Sequence, residues 1–84
     1  MMEELIMKKN TKRFLELCAL RERCELKQSD LALLIGCSES NYGAKERGDV
    51  TFTLEEAFVI KDSINKILDK KQRNLVSIED IFLR

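Results

Sequence analysis

The residue types that most often carry catalysis or bind metal are sparse in this chain. Three cysteines, Cys18, Cys24 and Cys37, occur without CxxC spacing, and no histidine is present to complete a zinc site or activate a thiol. No carboxylate pair, phosphate-cradling loop or activated nucleophile stands at a useful spacing. We therefore expect no catalytic site, metal or cofactor, and three cysteines that are small buried hydrophobes in a reducing cytosol.

Small and apolar residues between Gln28 and Gly48 fall at spacings typical of a helix-turn-helix. Ala32 lies four residues after Gln28, where a small side chain lets two helices cross closely. Gly36 follows four residues later, where the chain must turn with positive φ. Tyr42, six residues beyond the glycine, returns apolar surface to the core. This pattern predicts two short helices joined by a tight turn, an arrangement suited to reading DNA.

The helix predicted after Ser38 has an outward side of small and polar residues. Glu39 can accept a hydrogen bond from cytosine N4, Ser40 can bond to either base type, and the Ala44 methyl can contact a thymine methyl. Glu39 is equally suited to stabilising the helix dipole without DNA. The three- and four-residue spacing of a helix places five residues on this outward side: Glu39, Ser40, Gly43, Ala44 and Arg47. We expect the first four to face bases and Arg47 to contact phosphate.

Capping residues and glycines predict the first three helices. Proline is absent and all three glycines lie within thirteen residues, which favours an all-α domain. Helix one is expected from Thr11, with Asn10 or Thr11 as its N-cap. Helix two runs from Gln28 to Gly36, and Ser38 caps helix three.

Two further capping boxes predict the last two helices. Thr53 with Glu56 opens a fourth helix, and Ser77 with Asp80 opens a short fifth helix. The fourth helix is expected to be long, because one apolar stripe continues along it. The stripe consists of Leu54, Ala57, Phe58, Ile60, Ile64, Ile67 and Leu68.

Length and charge limit the remaining possibilities. With 84 residues and 44% hydrophobic content, the chain fits a single domain, predicted over residues 11–84 and preceded at 1–10 by an arm or a frayed helix start. The chain carries 15 basic and 15 acidic residues, so any attraction to phosphate must come from an uneven distribution of charge. The longest apolar run, Leu31 to Ile35, is too short to cross a bilayer, and we expect a cytoplasmic protein without membrane contact.

The helix-turn-helix segment and its flanks resemble the lambda-repressor-like, Cro/C1-type (XRE) family over roughly residues 11–83. The likeness is strongest to members from phages and mobile elements of Gram-positive bacteria, which often have Y-x-x-K-E-x-G through the third helix, as Tyr42 to Gly48 do here. It implies a compact five-helix domain that binds a pseudo-palindromic DNA operator as a homodimer, with helix three in the major groove. The matching residues are Leu20-Arg21-Glu22, Gln28, Leu31-Ala32, Gly36, Ser38, Tyr42, Glu46, Gly48, Leu54-Glu55-Glu56-Ala57 and Val76-Ser77-Ile78-Glu79-Asp80-Ile81-Phe82.

The resemblance also implies roles for individual residues. Arg21 is expected to pair with Glu46 and so to lock helix one to helix three. Gln28, at the start of helix two, is expected to donate to the DNA backbone, where the helix N-terminus adds partial positive charge. Lys45 occupies a position that is often apolar in the family. Instead of contacting phosphate, its side chain could extend past Tyr42 towards the solvent. The phosphate-contact candidates are Gln28, Lys27, Ser38, Asn41, Lys45 and Arg47.

Three departures from the family pattern concern stability and shape. Lys27 stands where a threonine N-cap is usual and Glu25 where a turn glycine is common, so this corner is expected to be weaker by roughly 1 kcal/mol at each position. About nine extra residues, Lys66 to Asn74, precede the final element, and the apolar stripe predicts that helix four extends through them.

The leading interpretation is a sequence-specific DNA-binding transcriptional regulator of the repressor or Cro-like type, without a small-molecule ligand. The alternative is an antitoxin-like or antirepressor module that binds a protein with the same fold. Zero net charge and a sparsely equipped helix three favour this alternative, with Leu5 to Met7 and Leu75 to Leu83 as its adhesive surfaces.

Overall fold

The computed structural model describes residues 5–6 and 14–83. Over these residues the chain forms five helices and one pair of two-residue strands, which makes it all-α as predicted. In chain order the elements are β1 (Leu5–Ile6), α1 (Leu15–Arg23), α2 (Gln28–Ile35), α3 (Glu39–Arg47), β2 (Phe52–Thr53), α4 (Leu54–Lys70) and α5 (Ile78–Phe82).

The predicted caps of the last three helices are confirmed. The hydroxyl of each capping residue accepts the backbone N–H three residues further on, which satisfies one donor of the first helical turn. The pairs are Ser38 with Asn41, Thr53 with Glu56 and Ser77 with Asp80. At the start of α2 the Asp30 carboxylate accepts the backbone N–H of Lys27 at 2.8 Å. Because a lysine side chain has no acceptor, the other half of that cap is missing.

Helix α1 begins at Leu15, so its predicted start near Thr11 is wrong. Phe14 occupies the N-cap position without a side-chain cap. Its ring is buried, and its backbone N–H donates to the carbonyl oxygen of Glu46 at 2.8 Å, which ties this point of the chain to α3. The proposed capping residues Asn10 and Thr11 lie outside the described residues.

Leu5 and Ile6 form strand β1 instead of a frayed helix start. They pair antiparallel with β2, Leu5 opposite Thr53 and Ile6 opposite Phe52. The other residues of the predicted 1–10 arm lie outside the described part of the chain.

The core is built around four aromatic rings that meet edge to face. The ring centroids of Phe14, Tyr42, Phe52 and Phe82 lie 5.2 to 6.0 Å apart in the contacting pairs. This geometry suits the quadrupoles of the rings and adds to the stabilisation from burial. Tyr42 is fully buried, as the sequence predicts.

The apolar stripe of α4 is buried only in part. Ala57, Ile60, Ile64 and Leu68 belong to the core, as predicted, and Ile67 packs against it, whereas Leu54 and Phe58 are exposed. Phe58 follows Ala57 by one residue, about 100° around the helix axis, and therefore lies on a different side of α4.

The extension of α4 stops at Lys70, short of the predicted Asn74. Helix α4 nevertheless spans 17 residues. Asn65, a polar residue of this helix, binds the segment that follows it. The Asn65 amide donates to the carbonyl of Val76 at 2.9 Å and accepts the Val76 N–H at 2.8 Å. The chain between α4 and α5 is thus fastened back onto α4.

Four helices end in the same hydrogen-bonding pattern, the Schellman motif. At α1, Glu25 N–H donates to Glu22 and Leu26 N–H to Arg21, and equivalent bonds close α2, α3 and α4. The motif requires a left-handed residue just beyond the helix, which favours glycine. Gly36 and Gly48 meet this requirement in α2 and α3. Glu25 (φ 62°) and Gln72 (φ 59°) meet it in α1 and α4 without being glycine.

The three cysteines are free thiols, and only one is fully buried. Cys24 is in the core, where burial raises the pKa of its thiol. Cys18 and Cys37 are half-buried, so the expectation of three buried hydrophobes is wrong for these two. Within the described residues, every helix is too short or too polar to span a membrane.

Candidate nucleic-acid interface

The inner side of α3 is anchored by Glu46, which accepts hydrogen bonds from α1 and α2. Arg21 Nε lies 2.6 Å from Oε2, Gln28 Nε2 lies 2.9 Å from Oε1, and the Cys18 thiol lies 3.3 Å from Oε1. The Glu46 side chain is only 3% exposed. The Arg21–Glu46 pair that the resemblance implies is therefore present and fixes α3 against α1.

The protonation of this cluster follows from its hydrogen bonds. Burial alone would raise the pKa of Glu46, but the hydrogen bonds from Arg21, Gln28 and Cys18 outweigh it and lower the pKa below 4.5. Burial, together with the nearby Glu46 charge, raises the pKa of Tyr42, whose hydroxyl is buried without a hydrogen-bond partner among the described residues. At neutral pH the cluster therefore holds a carboxylate, a guanidinium and a neutral phenol.

Gly43 is buried, whereas the helical spacing predicts that it faces outward among the base-reading residues. A Cβ at this position would lie 3.5 Å from both Gln28 Oε1 and Arg47 Nη1. These are ordinary van der Waals distances, so the Gln28 side chain, which reaches Glu46, and the Arg47 side chain lie directly against Gly43. Gly43 is thus covered by two long side chains, which helical periodicity alone does not predict.

Lys45 is almost completely buried as well, which contradicts its prediction as a phosphate contact. Its Nζ donates to the Thr51 carbonyl and to Glu56 Oε1, each at 3.0 Å, and lies 5.7 Å from the centre of the Phe52 ring. The side chain is 7% exposed. Because both its charge and its donors are engaged inside the domain, Lys45 joins α3 to the start of α4.

The first turn of α3 presents the remaining base-reading candidates. Glu39 and Ser40 are exposed, as predicted, and Ala44 is half-buried one turn further along. The side chains on the opposite side, Tyr42 and Glu46, are in the core. Helix α3 therefore presents a short polar edge, formed by Glu39 and Ser40, while its opposite side is buried in the domain.

Five of the six phosphate candidates are exposed or half-buried. Lys27, Ser38 and Asn41 are exposed and lie at the first turns of α2 and α3. Arg47 is 54% exposed and donates to Asp49 at 3.1 Å, so part of its charge is balanced locally. Gln28 is half-buried, with its amide engaged by Glu46. These candidates thus belong to the N-terminal turns of α2 and α3 and to the C-terminal end of α3.

The sequence-based prediction misses two residues that support this surface. Cys18 donates its thiol to Glu46, and Glu56 receives Lys45 in addition to capping α4. The three-residue spacing of Cys18 and Arg21, which puts them on one face of α1, is a signal for the first. Nothing in the sequence indicates the second, because it depends on how α3 and α4 pack. The chain matches no family model, curated protein or solved structure with which it was compared.

Proposed function

We propose that this chain is a sequence-specific DNA-binding regulator of the repressor or Cro-like type that inserts α3 into the major groove. The observation that carries the proposal is the asymmetry of α3. Its first turn is exposed and polar, while on its other sides Tyr42 is buried and Lys45 and Glu46 are buried and hydrogen-bonded. A helix held in this way keeps a fixed angle as it enters a groove.

Three side chains on α3 suit direct contact with bases. The Glu39 carboxylate accepts from the N4 amino group of cytosine, and the Ser40 hydroxyl donates or accepts. The Ala44 methyl packs against the methyl of thymine, provided that the helix enters deeply enough to bring its second turn to the bases. This set specifies few base pairs per half-site, and so a second half-site is needed for useful specificity.

Contacts with the DNA backbone come from the starts of α2 and α3. The N-terminal dipoles of both helices attract phosphate, and the exposed Lys27 adds a full charge beside α2. The second hydrogen of the Gln28 amide remains for phosphate while the first is held by Glu46. Ser38, Asn41 and Arg47 complete the set on the α3 side. We propose that two copies bind an inverted repeat, which doubles these contacts. We further propose that the protein acts in the cytoplasm.

The proposal is tested by selecting bound sites from random duplexes at two salt concentrations. Recovery of an inverted repeat, with half-sites about one helical turn apart, is the expected result. Affinity should fall steeply with salt, since roughly 6 to 10 phosphate contacts across a dimer release as many counterions. Duplexes of unrelated sequence, or an affinity that does not change with salt, would contradict the proposal.

Matched variants separate base reading from folding. Ser40→Ala and Glu39→Gln should relax preference at single positions of the recovered site, with a cost of about 1 to 3 kcal/mol against the preferred base. Glu16→Gln, an exposed change in the first turn of α1, is the control and should leave the recovered site unchanged.

A second candidate function is a protein-binding module of the antitoxin or antirepressor kind. Burial of Lys45 favours it, because it removes a cation from the α3 surface of a chain that has no net charge. Retrieval of one stoichiometric protein partner, together with no retention of duplexes at low salt, would select this function over DNA reading.

A further inference from the structure

Four large apolar side chains form an exposed strip across the C-terminal end of α2 and the first half of α4. We call this strip the α4 face and define it as Leu34, Leu54, Phe58 and Val59, which are 37 to 45% exposed. Single exposed apolar residues are common, but a contiguous group more often marks an interaction surface.

The α4 face is concave and continuous. A groove of about 520 Å³ lies over Leu54, Phe58 and Val59, and a second of about 430 Å³ lies over Leu34 and Val59. The two grooves share Thr53, Glu55 and Val59 along their border. The strip therefore offers two adjoining depressions, with the partly exposed Phe58 ring on the wall of the larger one.

Opposite charges lie on either side of Phe58. Glu55 is exposed and makes no ion pair with the described residues, while Lys61 follows Phe58 by three positions. Lys61 Nζ lies 5.4 Å from the centre of the Phe58 ring and 3.0 Å from Asp62, whose side chain is 65% exposed. Because acid and base are equally distant from Phe58 along the helix, the pattern is complementary to itself when reversed.

We propose that the α4 face binds a second copy of this chain about a two-fold axis that passes close to Phe58. The two α4 helices then cross in opposite directions with the Phe58 rings in contact, and each Glu55 meets Lys61 of the partner subunit. A two-fold interface repeats every contact, so this single pattern supplies two ion pairs around one apolar centre. A second copy of the chain is thus sufficient to pair Glu55 and Lys61 across the interface.

This inference deepens the proposed function, whose inverted-repeat operator supplies the need for two-fold symmetry. Helix α3 ends at Arg47 and α4 begins at Leu54, so only residues 48–53 separate the groove-reading helix from the interface. An axis at the first half of α4 brings the C-terminal ends of the two α3 helices towards each other. The exposed first turns of α3 remain outside the interface.

The test measures molecular mass in solution by sedimentation equilibrium without DNA. We expect the full chain to be dimeric and Phe58→Lys to weaken the dimer about 100-fold or more, because a central aromatic is replaced by a charge in both copies. Glu55→Lys and Lys61→Glu should each weaken it about tenfold through repeated like-charge contacts, and the double variant should restore most of the affinity.

Leu33→Lys is the matched control, since Leu33 is 83% exposed and lies outside both grooves. It should leave the dimer unchanged, and thermal unfolding should show that every variant is folded. A chain that remains monomeric, or a dimer that tolerates Phe58→Lys, would overturn the proposal. A dimer of the expected kind that binds no duplex would support this interface while contradicting the proposed function.

Discussion

Removing the Arg21 guanidinium would leave the Glu46 carboxylate buried with Gln28 and Cys18 as its remaining donors. Breaking one side of a buried ion pair is costly, because the other charge stays desolvated. We expect Arg21→Ala to lower the free energy of unfolding by about 3 to 5 kcal/mol, measured by urea denaturation.

Arg47→Ala is the matched control for this prediction. The Arg47–Asp49 pair has a similar chemistry but is more than half exposed on both sides, so its loss should change stability by less than about 1 kcal/mol. Equal effects of the two substitutions would mean that the contacts of Glu46 do not anchor α3.

The depressed pKa of Glu46 predicts how stability depends on pH. A carboxyl whose pKa is lower in the folded than in the unfolded state contributes stability above its unfolded pKa, and this contribution disappears as pH falls through the folded value. Stability from this group should therefore be complete above pH 4.5 and decline below it. Denaturation curves between pH 7 and 3 measure the decline.

Glu46→Gln provides the comparison, because it keeps the shape but removes the titration. The variant should be less stable at pH 7 and should show a shallower loss below pH 4.5 than the original chain. An unchanged slope in the variant would assign the acid sensitivity to other carboxyl groups.

The side chains that the sequence places wrongly are those with distant partners. The Ser38 cap and the exposed positions of Glu39 and Ser40 are predicted correctly because helix capping and the first turn depend on adjacent residues. Gly43 is covered by Gln28, which is fifteen residues away in the chain, and Lys45 is drawn inward by Glu56 on another helix. Periodicity defines which side of a helix a residue occupies, but not which side chain covers it.

At the scale of the helical elements, two helix ends adopt a left-handed residue that is not glycine. Glu25 and Gln72 hold φ near 60°, where a side chain costs roughly 1 to 2 kcal/mol, partly offset by the entropy that glycine loses on folding. We expect Glu25→Gly and Gln72→Gly each to raise the free energy of unfolding by about 0.5 to 1 kcal/mol. Thermal and urea denaturation measure the gain.

Glu22→Gly, inside α1, is the matched control and should lower stability by about 1 kcal/mol, because there glycine meets no left-handed requirement. The sequence predicts the weak corner at Glu25 only through its family likeness. The similar end at Gln72 belongs to the extra residues, for which that likeness offers no template.

Elements that form from local signals are predicted well, and those that depend on pairing are not. The capping boxes at Thr53 and Ser77 specify where α4 and α5 begin, and Gly36 specifies where α2 ends. Strand β1 forms because Leu5 and Ile6 pair with strand β2, nearly fifty residues later in the chain. A segment of two residues is too short to show the alternating pattern that predicts a strand.

At the scale of the whole molecule, the chain has equal numbers of basic and acidic residues, so the proposed attraction to DNA depends on the local distribution of charge. Lys45 is neutralised inside the domain by Glu56, whereas Lys27 is exposed beside the start of α2. Two lysines that the sequence analysis groups together thus lie in different environments. Only the exposed one should influence how strongly binding depends on salt.

Lys27→Gln should reduce the slope of log affinity against log salt by about 2 for a dimer, because each lost phosphate contact lowers it by about 0.9. Lys45→Met should leave the slope unchanged while lowering stability, since it leaves the Glu56 carboxylate without its cation. Fluorescence anisotropy on one selected duplex, at several salt concentrations where both variants are folded, separates these effects. If Lys45→Met instead reduced the slope, Lys45 would have to leave Glu56 on binding, and the buried arrangement would be one of two states of α3.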